Sequence, residues 1–318
     1  MAETMDRTPD RNPDRTPAGA AAASYRPLLF SIAYGMTGSV GDAEDLVQDA
    51  FLGMTKAQRA GTVIDAPKAY LTTAVTRLGI NHLGSARVRR ETYVGDWLPE
   101  PLVTHEDAPA EHAELTDALS MALLVLLEAL SPMERAVFVL REVFGHDYPD
   151  IARSTGKSEA NCRQIFARAR RRIPADATAR LPRERRAEGA ELARRFFTAA
   201  DGGDLDALLG MLAPDVVFHG DGGGKAQAIS RTVHDPHQTA ALLVAGFRRL
   251  RTLGATLRPA QVNGAPGIVL YDAEGRVLSV VELHLQDGTV GAIHSLTNPD
   301  KLTHLGPVSD QGLLPRFR

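Results

Sequence analysis

An acidic stretch in the first half of the chain separates two helical segments. From Glu91 to Ala118 the sequence contains eight carboxylates and neither lysine nor arginine. Pro99, Pro101 and Pro109 lie within it, and proline disfavours a continuous helix because it lacks a backbone donor. On both sides apolar residues recur at helical spacing. The pattern therefore predicts two helical modules joined by an acidic linker over residues 93–112.

Composition narrows the class of protein. With 318 residues, 44% of them hydrophobic, the chain is long enough for two or three domains. The single cysteine, Cys162, excludes an intramolecular disulfide and a zinc site built on several cysteines. A formal charge of −3 argues against a protein that coats nucleic acid. This net charge does not exclude nucleic-acid binding by local basic segments. Without a membrane-length apolar run or a secretion signal, we expect a cytoplasmic protein with no membrane partner, cofactor or metal.

The first helical module follows a repetitive tail. Residues 1–24 repeat an Asp-Arg-Thr/Asn-Pro unit, which predicts a disordered tail. The module over residues 25–92 carries carboxylates in the first turn of a helix and ends in a basic segment. The basic residues of that segment, with no carboxylate among them, are Arg77, Arg87, Arg89 and Arg90. This cluster is either a nucleic-acid contact or the solvated end of a helix.

The second helical module, residues 113–176, contains a helix–turn–helix pattern. Gly156 permits the turn, and Ser158 caps a second helix whose buried side includes Cys162. A recognition helix needs polar side chains near its N-terminus that reach base edges, and later arginines that neutralise phosphates. The outer side carries candidates for both roles: Ser158, Asn161, Arg163, Gln164, Arg168 and Arg171. From the pattern alone, a solvated basic helix fits equally well.

The last third of the chain changes from helical to strand-like patterns. An amphipathic helix over 190–200 precedes apolar runs such as Val277 to Leu285 and Val290 to Ile293. Gly/Asp turns separate these runs, which predicts antiparallel pairing. We expect an α+β domain over residues 186–302 and a tail over residues 303–318.

Two helical segments carry a family resemblance. Glu44 to Phe51, which reads Glu-Asp-Leu-Val-Gln-Asp-Ala-Phe, resembles region 2 of the sigma-70 family. Leu130 to Phe138, together with Ser158 to Gln164, resembles region 4. Because no region 1 or full region 3 accompanies them, the chain resembles the extracytoplasmic-function sigma factors. The resemblance implies two all-α domains, a region 2 helical bundle and a region 4 helix–turn–helix.

Three short motifs narrow the resemblance to the subgroup with a fused SnoaL-like domain. They are Trp97 to Pro101, Asp221 to Lys225 and Asn298 to Leu302. In this subgroup the carboxy-terminal domain, a cone-shaped α+β fold, acts as a tethered regulator in place of a separate anti-sigma factor. The interdomain regulatory residues that the resemblance implies are Trp97, Pro99, Glu100, Asp221, Gly222, Gly223, Gly224, Lys225, Asn298, Pro299, Asp300 and Lys301.

The family resemblance also implies partners. Region 2 is expected to dock on the clamp helices of the RNA polymerase β′ subunit through Asp45, Gln48 and Asp49, while its basic side holds the melted minus-ten strand of promoter DNA. Region 4 is expected to read the minus-thirty-five element and to touch the β flap. Asn81 and Gly84 stand where the family commonly has Asp and Arg. The polymerase supplies the catalysis, so the chain itself is expected not to be an enzyme.

The charge of the linker allows two interpretations. In such factors the linker threads a channel that later carries RNA, and a polyanion can imitate a nucleic acid there. We favour this interpretation because the acidic residues are concentrated in the linker. An ordinary solvated spacer would show the same composition.

The carboxy-terminal domain raises the question of a second activity. SnoaL-like folds include enzymes that use Asp and His, and this chain offers His219, Asp221, Asp235, His237, Glu282, His284 and His294. Glu282 and His284 share a sheet face, either as an acid–base pair in a cavity or on a solvated surface. We expect the solvated surface, because strands bury their apolar side by default. The alternatives are a sigma factor that also binds or converts a small-molecule ligand, and a plain helix–turn–helix repressor.

The glycines of Asp221 to Lys225 predict a turn with positive φ or a close approach to another surface. The motif is not a P-loop, because Lys225 is followed by Ala226 rather than Ser or Thr. Trp97 lies near two prolines and would be costly if exposed. We therefore expect the carboxy-terminal domain to pack on the linker and the helical modules, with the three motifs at the contact.

Overall fold

The computed structural model describes residues 24–91, 93–104, 119–174, 183–226 and 232–310, without the side chains of 86–91 and 183–186. Nearly all of the predicted tail, residues 105–112 of the predicted linker and residues 113–118 of the second helical module lie outside this description. Within the described ranges, no helix is both long and apolar enough to cross a membrane.

The amino-terminal half is helical on both sides of the linker. Its helices are α1 (Arg26–Thr37), α2 (Val40–Arg59), α3 (Pro67–Glu91), α4 (Met121–Leu127), α5 (Pro132–Phe138, extended by a π-helical turn over Val139–Val143), α6 (Tyr148–Thr155) and α7 (Glu159–Arg170). Local sequence fixes several of their ends. Ser131 and Glu134 form the capping box of α5 that the sequence predicts. Gly156 ends α6 with a left-handed φ of 68°.

The two helical modules share one hydrophobic core. Leu29 of α1 and Val75 of α3 belong to the same buried cluster as Phe138 of α5 and Cys162 of α7. Helix α3 packs against both α5 and α6. Burial of apolar surface stabilises the folded state by about 25 cal/mol per Å². Because both modules bury side chains in the same core, unfolding of one module would expose apolar surface of the other, so their stabilities are coupled. The sequence pattern distinguishes the modules but does not predict this packing.

The carboxy-terminal part combines helices with a mixed sheet. Its elements are α8 (Arg183–Gly202), α9 (Leu205–Leu209), β2 (Leu212–Asp221), α10 (Pro236–Thr252), β3 (Thr256–Val262), β4 (Ala265–Tyr271), β5 (Val277–Gln286) and β6 (Thr289–Leu296). The linker adds β1 (Val103–Thr104), and the strand order is β1-β3-β4-β5-β6-β2. Neighbouring strands are antiparallel as expected, except for the parallel pair β2 and β6.

The two faces of the sheet have different partners. Phe196 of α8 belongs to one apolar cluster with Leu283 of β5, so the helices cover this face. Because side chains alternate along a strand, Val280 and Glu282 of β5 lie on the other face. There Val280 shares a second apolar cluster with Leu98 of the linker. The linker, rather than solvent alone, therefore covers the second face.

The first part of the predicted carboxy-terminal tail is packed on the sheet. Val308 forms a parallel bridge with Val277 at the start of β5. The Ser309 hydroxyl donates to Oδ2 of Asp272 over 2.6 Å. This hydrogen bond and those from Arg276 lower the pKa of the Asp272 carboxyl to about 2, although burial opposes the shift. Residues 308 and 309 of the predicted tail thus pack against the domain, and residues 311–318 lie outside the described ranges.

Candidate functional site

A buried carboxylate organises the contact between the linker and the carboxy-terminal domain. Asp221, at the end of β2, is fully buried. Its Oδ1 accepts from the Tyr93 hydroxyl at 2.5 Å and from the Gly223 amide at 3.0 Å. Its Oδ2 accepts from the Leu98 amide at 2.9 Å and from Nζ of Lys301 at 2.7 Å. One side chain therefore connects all three motifs that the sequence singles out.

Lys301 supplies the charge that balances Asp221. Its side chain is almost wholly buried, and Nζ also donates to the Leu98 carbonyl at 2.5 Å. The ammonium lies 4.0 Å from the ring centroid of Trp97 and 4.7 Å from that of Tyr93. Burial of a charge is costly unless it is paired and hydrogen-bonded. The aromatic rings, the carboxylate and the carbonyl together meet that requirement for Lys301. The same contact covers the Trp97 ring, as the sequence predicts.

Tyr93 is a member of this cluster that the sequence does not reveal. Its hydroxyl donates to Asp221 and accepts from Nδ2 of Asn298 at 2.6 Å. Burial, followed by the nearby Asp221 carboxylate, raises the pKa of Tyr93 well above its ordinary value. The phenol therefore remains a neutral donor. Its only signal in the sequence is its position four residues before Trp97, near the Trp97 to Pro101 motif.

The glycine motif approaches the linker closely. Gly223 and Gly224 have φ of 58° and 67°. A Cβ atom at Gly223 would lie 2.3 Å from Nδ2 of Asn298, and one at Gly224 would lie 3.0 Å from Cβ of Val94. Both positions therefore need glycine for conformation and for space. The predicted turn is confirmed, and its described surroundings are those of a domain contact. Nearby, Nζ of Lys225 pairs with Asp300 at 2.5 Å, in a partly exposed position.

The linker motif also contacts the first helical module. The Glu100 amide donates to the Gly38 carbonyl at 2.8 Å, and the Glu100 carboxylate accepts from the Val40 amide at 2.7 Å. Gly38, which ends α1 with a φ of 66°, has no room for a side chain because its Cβ would lie 2.9 Å from the Trp97 ring. The Trp97 to Pro101 segment therefore bridges α1, the start of α2 and the carboxy-terminal domain.

Asn263 forms a second junction that the sequence analysis missed. It occupies the tip of the β3–β4 hairpin with a φ of 50° and is buried. Its Nδ2 donates to the Tyr34 hydroxyl and to the Leu119 carbonyl, each at 2.9 Å. Its Oδ1 accepts from the Leu102 amide at 3.0 Å. The Asn-Gly pair predicts a hairpin turn, but nothing local indicates that its side chain joins both helical modules.

The predicted recognition helix has the expected division of faces. Ser158 caps α7 by accepting from the Asn161 amide at 3.3 Å. Cys162 and Ile165 are buried, and the predicted DNA-facing residues are all exposed: Ser158, Asn161, Arg163, Gln164, Arg168 and Arg171. Helix α7 therefore presents a polar, basic surface that is available to a nucleic acid. The geometry fits an interface and does not by itself assign bases.

The predicted polymerase surface is likewise exposed. Asp45, Gln48 and Asp49 lie on the solvent side of α2, while Leu46 and Val47 are buried beneath them. Their spacing of three and four residues places them on one helical face. Leu52, one turn further on, is 48% exposed and extends that face with an apolar side chain.

Models of known families match most of the chain. Sigma-70 region 2 matches residues 22–89, sigma-70 region 4 matches residues 120–173, and the SnoaL-like domain matches residues 193–297. The ECF RNA polymerase sigma factor SigJ of Mycobacterium tuberculosis is 37% identical over 92% of this chain and 95% of its own length. The chain belongs to the extracytoplasmic-function sigma factors.

Two further comparisons agree with this family. A probable ECF RNA polymerase sigma factor, SigI of Mycobacterium tuberculosis, is 32% identical over 90% of this chain and 95% of its own length. The crystal structure of SigJ from the same organism aligns with a TM-score of 0.71 at 34% identity, covering 89% of this chain and 98% of that one. The predicted fold class, two helical sigma domains followed by an α+β SnoaL-like domain, is confirmed.

Within this sigma factor, one predicted DNA contact of region 2 is engaged elsewhere. Nε of Arg77 donates to the Ser154 carbonyl at 3.2 Å, and Nη2 donates to the Arg153 carbonyl at 2.9 Å. These carbonyls belong to the last turn of α6, so Arg77 connects region 2 to the helix–turn–helix of region 4. The side chains of Arg87, Arg89 and Arg90 lie outside the described part.

In the SnoaL-like domain, the expectation that Glu282 lies on a solvated surface is wrong. Glu282 is fully buried, and its Oε2 lies 2.5 Å from Nδ1 of His294. The His219 ring stacks on His294 with centroids 5.4 Å apart. The solvated surface is excluded because the linker covers this sheet face: Oδ2 of linker residue Asp96 lies 3.4 Å from Nδ1 of His219. His284, by contrast, is partly exposed.

Two further titratable candidates, Asp235 and His237, lie at the start of α10. Asp235 caps α10 by accepting from the Gln238 amide at 2.7 Å, and His237 is exposed. Burial and the neighbouring His294 lower the pKa of His219, while Asp96 partly opposes the shift. Among the described residues, no three His, Cys, Asp or Glu side chains are placed to hold a metal ion.

Proposed function

We propose that this sigma factor binds core RNA polymerase, directs promoter-specific transcription initiation and is regulated by its own SnoaL-like domain. The observation that carries the regulatory part is the buried cluster around Asp221, because it joins the linker to the carboxy-terminal domain through all three motifs. The homologous sigma factors support the role in initiation.

The surfaces of the two sigma regions support the choice of partners. Asp45, Gln48 and Asp49 form an exposed acidic face on region 2, which suits the clamp helices of the β′ subunit. The exposed side of α7 suits duplex DNA at the minus-thirty-five element, because its basic and amide side chains can reach phosphates and base edges. Region 4 also lies close to the β flap in this proposal.

The regulatory domain acts on the placement of these two surfaces. Regions 2 and 4 share a core here, and Arg77 is occupied by carbonyls of region 4. For region 2 to use Arg77 on DNA, this contact must open. The Asp221 cluster and Asn263 tie the linker and both helical modules to the SnoaL-like domain, so they hold the closed arrangement. The same ties set the spacing of the two DNA readers.

A catalytic or ligand-binding role for the SnoaL-like domain has weaker support. The buried Glu282 and His294 lie on the sheet face that the linker covers, while the helix-covered face is packed with apolar side chains such as Phe196. We therefore propose that the domain contributes contacts rather than chemistry, and that the polymerase supplies the catalysis.

Transcription in vitro with core polymerase tests the proposal. Removal of everything after Arg183 should reduce promoter activity, because the placement of the two DNA readers is lost. Removal of the chain from Asn298 onward should instead raise activity, because the restraint through Lys301 is released. Equal activity of both truncated proteins and the intact chain would leave the SnoaL-like domain without a regulatory role.

A further inference from the structure

The ring of Tyr148 lies close to two guanidinium groups. Tyr148 is the first residue of α6 and is half-buried. The guanidinium carbon of Arg141 lies 4.9 Å from its ring centroid, and that of Arg163 lies 4.7 Å from it. Arg141 is itself anchored, because Nη1 donates to the His146 carbonyl at 2.8 Å. The ring therefore contacts both the π-helical turn that extends α5, through Arg141, and the recognition helix, through Arg163.

Arg163 is the member of this group that faces DNA in the proposed function. Its side chain is 54% exposed, and Nη2 pairs with Glu159 one turn earlier at 3.0 Å. Two contacts therefore hold a side chain that would otherwise sample many rotamers. Ordering a rotamer-rich side chain at an interface costs roughly 0.5–1.5 kcal/mol, so a side chain ordered in advance binds with a smaller loss of entropy.

The two contacts differ in what they allow once DNA is present. Glu159 is a carboxylate, and a negative charge beside DNA phosphates is unfavourable. The Tyr148 ring attracts a cation without adding a negative charge, and a planar guanidinium can stack on a ring while its edge donates to a base. The aromatic contact is thus the one that Arg163 can keep while it reads a base pair.

We propose that Tyr148 is a positioning residue for base readout: its ring holds the guanidinium of Arg163 toward a base edge in the major groove. The inference rests on the proposed function of region 4. It assigns sequence preference at one base pair to a residue of the supporting helix, which itself need not touch DNA. A residue that only packs would affect binding to every promoter alike.

The experiment measures promoter binding by the full-length protein with core polymerase on a panel of minus-thirty-five elements that differ at single base pairs. Arg163→Ala identifies the base pair that Arg163 reads. Tyr148→Leu removes the ring, and Tyr148→Phe keeps it as the matched control. We expect Tyr148→Leu to reduce the preference at that base pair about two- to fivefold, the range of an exposed cation–π contact. Tyr148→Phe should retain the preference.

The outcomes separate the inference from the proposed function. If Arg163→Ala changes no base preference, the proposed reading by Arg163 is wrong. If Arg163→Ala does so but Tyr148→Leu weakens all sequences equally, or weakens none, the positioning role is overturned. If Tyr148→Leu does not fold, side-chain NMR of the intact protein decides: stacking requires a ring-current shift of the Arg163 Hε resonance, which Tyr148→Phe preserves. A random-coil shift for this proton would overturn the inference.

Discussion

The residue that best shows how the domains are joined is Lys301. Its ammonium is buried between two rings and is paired with Asp221. Lys301→Met leaves the carboxylate buried without its countercharge, so we expect a loss of about 3–5 kcal/mol in the free energy of unfolding. Denaturant titration at neutral pH measures it. Lys225→Met, which breaks the partly exposed pair with Asp300, is the matched control and should cost less than about 1 kcal/mol.

A companion variant separates charge from packing at this position. In Asp221→Asn combined with Lys301→Met, neither charge remains buried, so the double variant should be more stable than Lys301→Met alone. Equal destabilisation by the two lysine substitutions would contradict the buried-pair interpretation of Lys301.

Residue types at the site were predictable only where a local pattern exists. The capping box at Ser131, the glycine turn at Gly223 and the polar face of α7 follow from local rules. Tyr93 and Asn263 could not be predicted, because their partners lie 128 and 229 residues away in the sequence. The prediction for Glu282 was wrong because alternation alone does not identify what covers each face of a sheet.

At the scale of elements, α2 carries the predicted polymerase contact. Asp45 and Asp49 are exposed on one face and their neighbours are buried, so charge reversal should not disturb the core. We expect Asp45→Arg with Asp49→Arg to abolish holoenzyme formation in a pull-down of core polymerase while the thermal midpoint stays unchanged. Asp206→Arg with Asp215→Arg makes the same change in charge at exposed positions of the SnoaL-like domain and should bind polymerase normally.

Capture of core polymerase by the α2 double variant at the level of the intact protein would remove this face from the interface.

The helices and strands themselves were largely predictable, because helical and alternating periodicity persist over each element. The linker strand β1 was not, since two residues carry no periodicity and only the exposed edge of β3 gives them a partner.

For the whole molecule, acidification should loosen the arrangement. The folded pKa of His219 lies below the ordinary value of about 6.5, so the native state binds fewer protons than the unfolded chain as the pH falls. Stability from this group is complete above about pH 6.5 and is lost progressively below it. The charged or titratable groups facing His219 are Asp96, His234 and His294, with Glu282 behind His294.

Thermal midpoints at pH 7.5 and 5.5 provide the measurement. The intact protein should melt at lower temperature at pH 5.5, and His219→Gln should reduce the difference between the two pH values. His146, whose pKa is also lowered mainly by burial, contributes a background that both proteins share. An unchanged pH difference in His219→Gln would assign the effect to other groups.

At this scale the order of the domains could be predicted, but their mutual packing could not. The motifs identify regions 2 and 4 and the SnoaL-like domain in sequence. The shared core, the contact of Arg77 with α6 and the seat of the linker on the sheet depend on surfaces that only meet after each module has folded. Local periodicity predicts which side of an element is buried, but it does not predict which other module packs against that side.

Because strand β1 comes from the linker, the segment that matches the SnoaL-like family is shorter than the unit that folds together. The SnoaL-like match begins at residue 193, yet one strand of its sheet and two of the four donors to Asp221, Tyr93 and Leu98, come from residues 93–104. An exchange of the chain from residue 193 onward between sigma factors would separate Asp221 from two of its four hydrogen-bond donors. Recombination that preserves function must therefore carry the linker with the domain, and the two segments are expected to change together in evolution.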